Sequence, residues 1–362
     1  MKLEATRKAN RIEGYDMARG IAVLGMLVMN FKLVMLSSHA PAKGFWGLIL
    51  QGMEGRFAVL FIILAGIGVS LMTRRARAAK DPALIRQKQK TLGVRAIFLL
   101  VVGLLFLPVW EADILHYYGI FMTLAAMVLH WPDHRLKAMI ITFVLMFNLM
   151  FLLFDWGAGW DFTTLSYHGL WTLNGFIRHT LFNGFHPVFP WFAFFLFGMV
   201  VGRQDLSAKN IRIRALWVSS LVFCICEAVS YGVPALIQQG QIKTVVWFFS
   251  TLSFPPFPLF IISGCSSGLM VIMICIMIAE KAPQWFTRPW VCTGQMVLTH
   301  YMAHIILGMG LLEGLDMLYH QPLSFAVVSA VVYFVLSMIF SVFWLGKFQK
   351  GPLEMLMRRI SG

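Results

Sequence analysis

Asp113 and His116 stand three residues apart, the spacing at which a helix lets a carboxylate orient an imidazole and so prepare a general base. A second candidate pair is Asn30, late in the first apolar run, and His39, nine positions further on in a loop. An amide can donate to a developing oxyanion and a histidine can take a proton. Their plainer uses are an interhelical hydrogen bond and an ordinary loop residue. Glu54 and Arg56 set a carboxylate and a guanidinium beside the second run, and His186 opens a later one in His186-Pro-Val-Phe-Pro190-Trp191. Asp16 and Arg19 share a helix face and can pair, although a helix-start Asp with a snorkelling Arg gives the same pattern. His300 and His304 lie one turn apart, yet no acidic third ligand is near, so a metal is not expected. The five cysteines all fall inside apolar runs and read as packing residues.

These residues need elements to hold them, and the composition says which kind. The 362 residues are 59% hydrophobic and 13% charged, outside the range of soluble domains. Lipid satisfies no backbone polar group, so unbroken apolar runs without period-2 alternation must be membrane-spanning helices. The expected spans are 17–36, 53–72, 95–110, 113–130, 137–154, 184–202, 213–232, 257–279, 291–311 and 322–345. The fold class is therefore all-α, a polytopic protein of about ten spans, read as a single domain over 1–362. Of 30 Lys and Arg, 24 fall on one side of that arrangement, which places both termini and those loops in the cytoplasm. The net charge of +14 then reflects membrane orientation, anionic lipid and an acidic ligand rather than nucleic acid. The connector 73–94 reads as a charged loop, and Trp and Tyr in 155–183 read as an interface belt. The basic N-terminus runs on into a full span, so no cleaved signal peptide is expected.

Five segments in order carry a resemblance: Tyr15-Asp16-Met-Ala-Arg19-Gly20 through Asn30, Asp113-Ile-Leu-His116-Tyr-Tyr-Gly119, Pro190-Trp-Phe through Gly202-Arg203, Thr293-Gly294-Gln through Thr299, and Gly351-Pro-Leu-Glu354. Together they resemble the YeiB-type bacterial membrane proteins, relatives of the heparan-α-glucosaminide N-acetyltransferases. The resemblance implies a transmembrane acyltransferase in the cell's inner (plasma) membrane. It would take acetyl-CoA or another acyl-CoA from the cytoplasm and pass the acyl group to a glycan or glycolipid outside. It places the family's functional asparagine at Asn30 and its catalytic histidine at His39. Arg19, Arg74, Arg75 and Arg95 are the cations within reach of CoA phosphates. Glu54, Arg56, Asp113, His116 and His186 crowd the other rim, where an acceptor would bind. A small-molecule transporter or lipid flippase is the alternative, since it also needs polar residues within spans. Partners on either reading are membrane lipids, and a homo-oligomer is compatible with both.

Overall fold

The computed structural model describes residues 12–36, 44–236 and 243–361, and these are mostly helical. The first stretch is α1 (Glu13–Met35), followed by α2 (Gly44–Met53), α3 (Arg56–Ala79), α4 (Pro82–Phe106), α5 (Leu115–Met127) and α6 (Asp133–Leu153). A two-residue hairpin, β1 (Trp160–Asp161) and β2 (Ser166–Tyr167), precedes α7 (Leu173–Arg178) and a π-helical turn at His179–Asn183. Then come α8 (Val188–Val201), α9 (Lys209–Leu236), α10 (Lys243–Phe248), α11 (Pro258–Lys281) and α12 (Gln284–Gly294). Next are α13 (Val297–Ala303), a second π turn at His304–Met309, and α14 (Gly310–Gly314). The last two helices are α15 (Leu323–Lys347) and α16 (Pro352–Ser361).

Among the described residues, seven helices are long and apolar enough to cross a membrane, and two bent pairs raise this to nine. The pairs are Leu173–Asn183 with Val188–Val201, bent by 46°, and Gln284–Gly294 with Val297–Gly314, bent by 67°. The chain is a multi-pass membrane protein, and large apolar side chains such as Leu105, Leu152 and Phe343 stand exposed on its helices. The expected span at 113–130 is α5, whose 13 residues reach only about 20 Å against a hydrocarbon core of about 30 Å. The charged connector expected over 73–94 is also helical. α3 runs to Ala79, Lys80 turns the chain with φ 51°, and Asp81 caps α4 by accepting from the Ala83 and Leu84 amides.

The chain forms two compact units. Unit 1 is Met1–Ser37, Ile213–Leu216 and Leu269–Met355, and within it α1 packs on α12 and α15. Unit 2 is Ser38–Arg212, Trp217–Gly268 and Leu356–Gly362. Here α4 pairs with α5, and α8 packs on α3 and α6. Phenylalanines 121, 143, 192 and 195 interlock at ring-centroid distances of 5.2–6.3 Å between α5, α6 and α8. Gly103 lets the α4–α5 hairpin close: a Cβ there would strike the His116 backbone nitrogen and stand 2.8 Å from an Asp113 oxygen.

Residues 155–185 form a folded aromatic cap within unit 2, where a belt was expected. Trp156, Trp160 and Tyr167 are buried, and Asn183 latches them. Its amide donates to the Trp156 and Ala158 carbonyls, its side-chain oxygen accepts from Tyr167, and its carbonyl accepts from the Trp160 indole. One asparagine thus satisfies backbone groups that no regular element serves.

Candidate functional site

The start of α5 carries the Asp113–His116 pair, both fully buried in unit 2. Asp113 Oδ2 lies 2.8 Å from His116 Nδ1 and accepts the His116 backbone N–H at 3.0 Å. A carboxylate only accepts, so Nδ1 holds a ring hydrogen, and in the neutral imidazole Nε2 keeps its lone pair. That Nε2 has no hydrogen-bond partner. Tyr117 stacks against His116 at 4.0 Å and sits 6.2 Å from the His179 ring and 6.0 Å from the His186 ring. Its hydroxyl is 3.1 Å from His179 Nδ1. His179 Nε2, Thr180 Oγ1 and His186 Nδ1 are likewise buried without partners. Buried polar groups are ordinarily satisfied, and three of these four atoms belong to imidazoles packed around Tyr117. Among the described residues no group of three His, Cys, Asp or Glu is spaced to hold a metal ion.

Two further features of unit 2 adjoin the expected residues. A cavity of about 390 Å³ is lined by Glu111 and the stretch 166–172, which includes Tyr167 and the exposed Trp171. Tyr167 stands edge-on to His179 at 4.7 Å and takes a hydrogen bond from Arg178 Nε at 2.6 Å. Arg56 turns to Glu227 at 2.6 Å and donates to Ser263 at 2.7 Å, with Thr251 donating to the other Glu227 oxygen. Glu227 went unremarked in the sequence because 171 residues separate the partners.

Arginines gather at the end of α3. A cavity of about 300 Å³ is lined by Leu71, Arg74, Arg77, Ala78 and residues 202–205. Arg203 is held by Asp133 at 2.6 Å and by the Trp131 carbonyl, while Arg77 donates to the Ser70 carbonyl. The Nε atoms of Arg77 and Arg203 are buried without partners. Such donors suit an anion. Of the four cations expected at CoA, Arg74 lines this cavity. Arg75 is exposed and is not part of its lining, Arg95 donates to Ser361, and Arg19 pairs with Asp16 at 2.6 Å. Arg77 and Arg203 were visible in the sequence only as positive charges.

In unit 1, Asn30 Nδ2 donates to His304 Nε2 at 3.0 Å. His304 Nδ1 faces the His300 carbonyl at 3.2 Å, so it carries the hydrogen and leaves Nε2 to accept. His300 Nε2 meets Ser341 Oγ at 2.7 Å, and that hydroxyl donates to the Ser337 carbonyl. Asn30 retains one amide hydrogen. Glu354 of α16 accepts from the Leu298 and Thr299 amides and the Thr299 hydroxyl, joining the Thr293–Thr299 and Gly351–Glu354 segments. Burial holds its carboxyl above the usual glutamate range, against the pull of the Thr299 hydrogen bond. His39 lies outside the described residues. Glu54 is half-buried beside Arg56, at the end of α2.

Comparison with known proteins agrees with this architecture. Residues 11–237 match the family model described as "Heparan-alpha-glucosaminide N-acetyltransferase, catalytic". Residues 201–362 match "Protein of unknown function (DUF418)". The chain is 23% identical to "Uncharacterized protein YeiB" of Escherichia coli (strain K12), over 96% of this chain and 95% of that protein. Helical spans, segment order and both family matches lead to one assignment: the chain belongs to the YeiB-type family of membrane proteins related to heparan-α-glucosaminide N-acetyltransferase.

Proposed function

We propose that the protein is a transmembrane acyltransferase of the inner membrane, passing an acetyl group from acetyl-CoA to a glycan or glycolipid hydroxyl or amine across the bilayer. The observation that carries this reading lies in unit 2. The last turns of α3 line the arginine cavity, and the Asp113–His116 pair at the start of α5 abuts Gly103 of α4. An anion-binding cavity and a buried proton-accepting pair thus occur in the same unit, as transfer from a phosphorylated donor to a protic acceptor requires. The positive-inside rule puts the arginine end and both termini in the cytoplasm. CoA phosphates would rest on Arg74, Arg77 and Arg203, as point and fork donors.

The resemblance adds Asn30 as donor to the oxyanion, a role worth roughly 3–4 kcal/mol elsewhere, through the amide hydrogen that His304 leaves free. It adds His39 as general base or as the nitrogen that carries the acyl group. Glu54, Arg56, Asp113, His116 and His186 make up the acceptor side.

Titration of the purified protein with acetyl-CoA by calorimetry tests the donor half. Saturable binding is expected, weakened about tenfold, or 1.4 kcal/mol, in Arg74→Gln. A folded wild type that binds no acyl-CoA sinks the reading. That outcome would favour transport, to which the two bent helix pairs give independent support.

A further inference from the structure

We propose that Asp113 and His116 form an acid–base dyad whose Nε2 lone pair takes the proton of the hydroxyl or amine acceptor, which enters by the cavity at Glu111 and residues 166–172. The inference rests on the acyl-transfer reading, with His39 in its acyl-carrying role, for the identity of the reaction but not for the reactivity of the histidine.

The atoms set the direction of the hydrogen bonds. Nδ1–H is committed to the carboxylate, so in the neutral imidazole the open Nε2 accepts, and what it accepts from must bring an O–H or N–H. Asp113 is held in place from two sides, by the His116 ring and by the His116 backbone amide. It therefore acts as the positioning residue, fixing the tautomer and favouring the imidazolium once the proton arrives. The surroundings are shaped for a polar guest. The Tyr117 ring packs on His116 at a centroid distance of 4.0 Å, and His179, Thr180 and His186 nearby each carry one further buried atom without a partner.

The approach is marked too. Tyr167 lines the cavity and touches His179, and His179 is hydrogen-bonded to Tyr117. Trp171 and Glu111 at the cavity wall supply a stacking face and a carboxylate, groups suited to a ring rich in hydroxyls or to an amine. In the reaction the acceptor oxygen or nitrogen forms the new bond to the acyl carbon. The bond from that carbon to its carrier breaks, the leaving group keeps the electron pair, and the acceptor proton moves to His116 Nε2. His116 must then release that proton before the next turnover.

Diethylpyrocarbonate tests this, because it acylates a free imidazole lone pair. The full-length protein in detergent is treated across a range of pH, and each histidine is followed by peptide mass spectrometry. His116 is expected to react faster than His179 and His186. Asp113→Asn should slow it severalfold and displace its pH profile, and Asp113→Glu should restore both. A native wild type in which His116 stays unmodified, while reacting fully after denaturation, overturns the proposal. So does a rate indifferent to Asp113→Asn in a variant that elutes as the wild type does. Acetyl-CoA binding is measured on the same sample. A reactive His116 without acetyl-CoA binding removes the donor reading and leaves the dyad standing, whereas binding without a reactive His116 does the reverse.

Discussion

Unit 1 and unit 2 each bury a group of histidines, and they spend their carboxylates differently. In unit 2 Asp113 is turned on an imidazole, and the far nitrogen is left open. In unit 1 the nearby carboxylate, Glu354, is used on the Leu298 and Thr299 amides, while His300 and His304 find neutral partners in Ser341 and Asn30. A carboxylate beside a histidine makes a base; a carboxylate on backbone N–H groups makes a brace. The difference teaches that buried histidine alone does not indicate chemistry. What distinguishes the two is whether hydrogen-bonding capacity is left over.

The contrast can be broken most severely at Gly103. Gly103→Val forces a side chain into the His116 backbone and Asp113, and is expected to cost about 3 kcal/mol or more in thermal unfolding. It should also abolish the reactivity of His116. Gly93→Val on the same helix meets nothing within 4 Å and serves as the matched control.

The brace in unit 1 comes next. Glu354→Ala strands buried donors and should lower stability by about 2 kcal/mol. Its pH dependence has a definite sign. The folded carboxyl holds its proton to higher pH than the unfolded one, because burial raises it. The unfolded state therefore ionises first, and stability falls as pH rises from about 4.3 through the folded value. Glu354→Gln should flatten that slope in unfolding measurements between those limits; an unchanged slope would place the titration elsewhere.

The smallest expected effect is the coupling of Asn30 to His304. A double-mutant cycle with Asn30→Ala and His304→Ala should return about 0.6 kcal/mol, the usual worth of an interhelical hydrogen bond between membrane helices. A coupling beyond about 1.7 kcal/mol would mean that the pair is tied into something larger than a neutral contact.

How much of the molecule was legible depended on how far apart the partners lie in the chain. Asp113 with His116 and Asp16 with Arg19 were readable because three residues on a helix share a face. The long spans were readable because lipid imposes their length. Asn30 with His304, 274 residues apart, and Arg56 with Glu227 were not, since periodicity says nothing about which helix faces which. The aromatic cap passed for an interface belt because the same residue types serve both, and only the Asn183 latch tells them apart. In the arginine cavity, charge was plain from the sequence, but selecting Arg77 and Arg203 over Arg75 and Arg95 took the helix ends.

The two π turns, at His179–Asn183 and His304–Met309, each open on one of these histidines. Such a turn carries one residue more than an α-helical turn, the trace of a single insertion into a helix. Removing one residue from either would rewind it and rotate the side chains before the turn by roughly 100° relative to those after it. His179 would swing off Tyr117, or Asn30 would lose His304, with the rest of the helix intact. Segment length in these two places, a property visible in any relative's sequence without an alignment of its chemistry, then becomes a marker for which members of the family keep each arrangement.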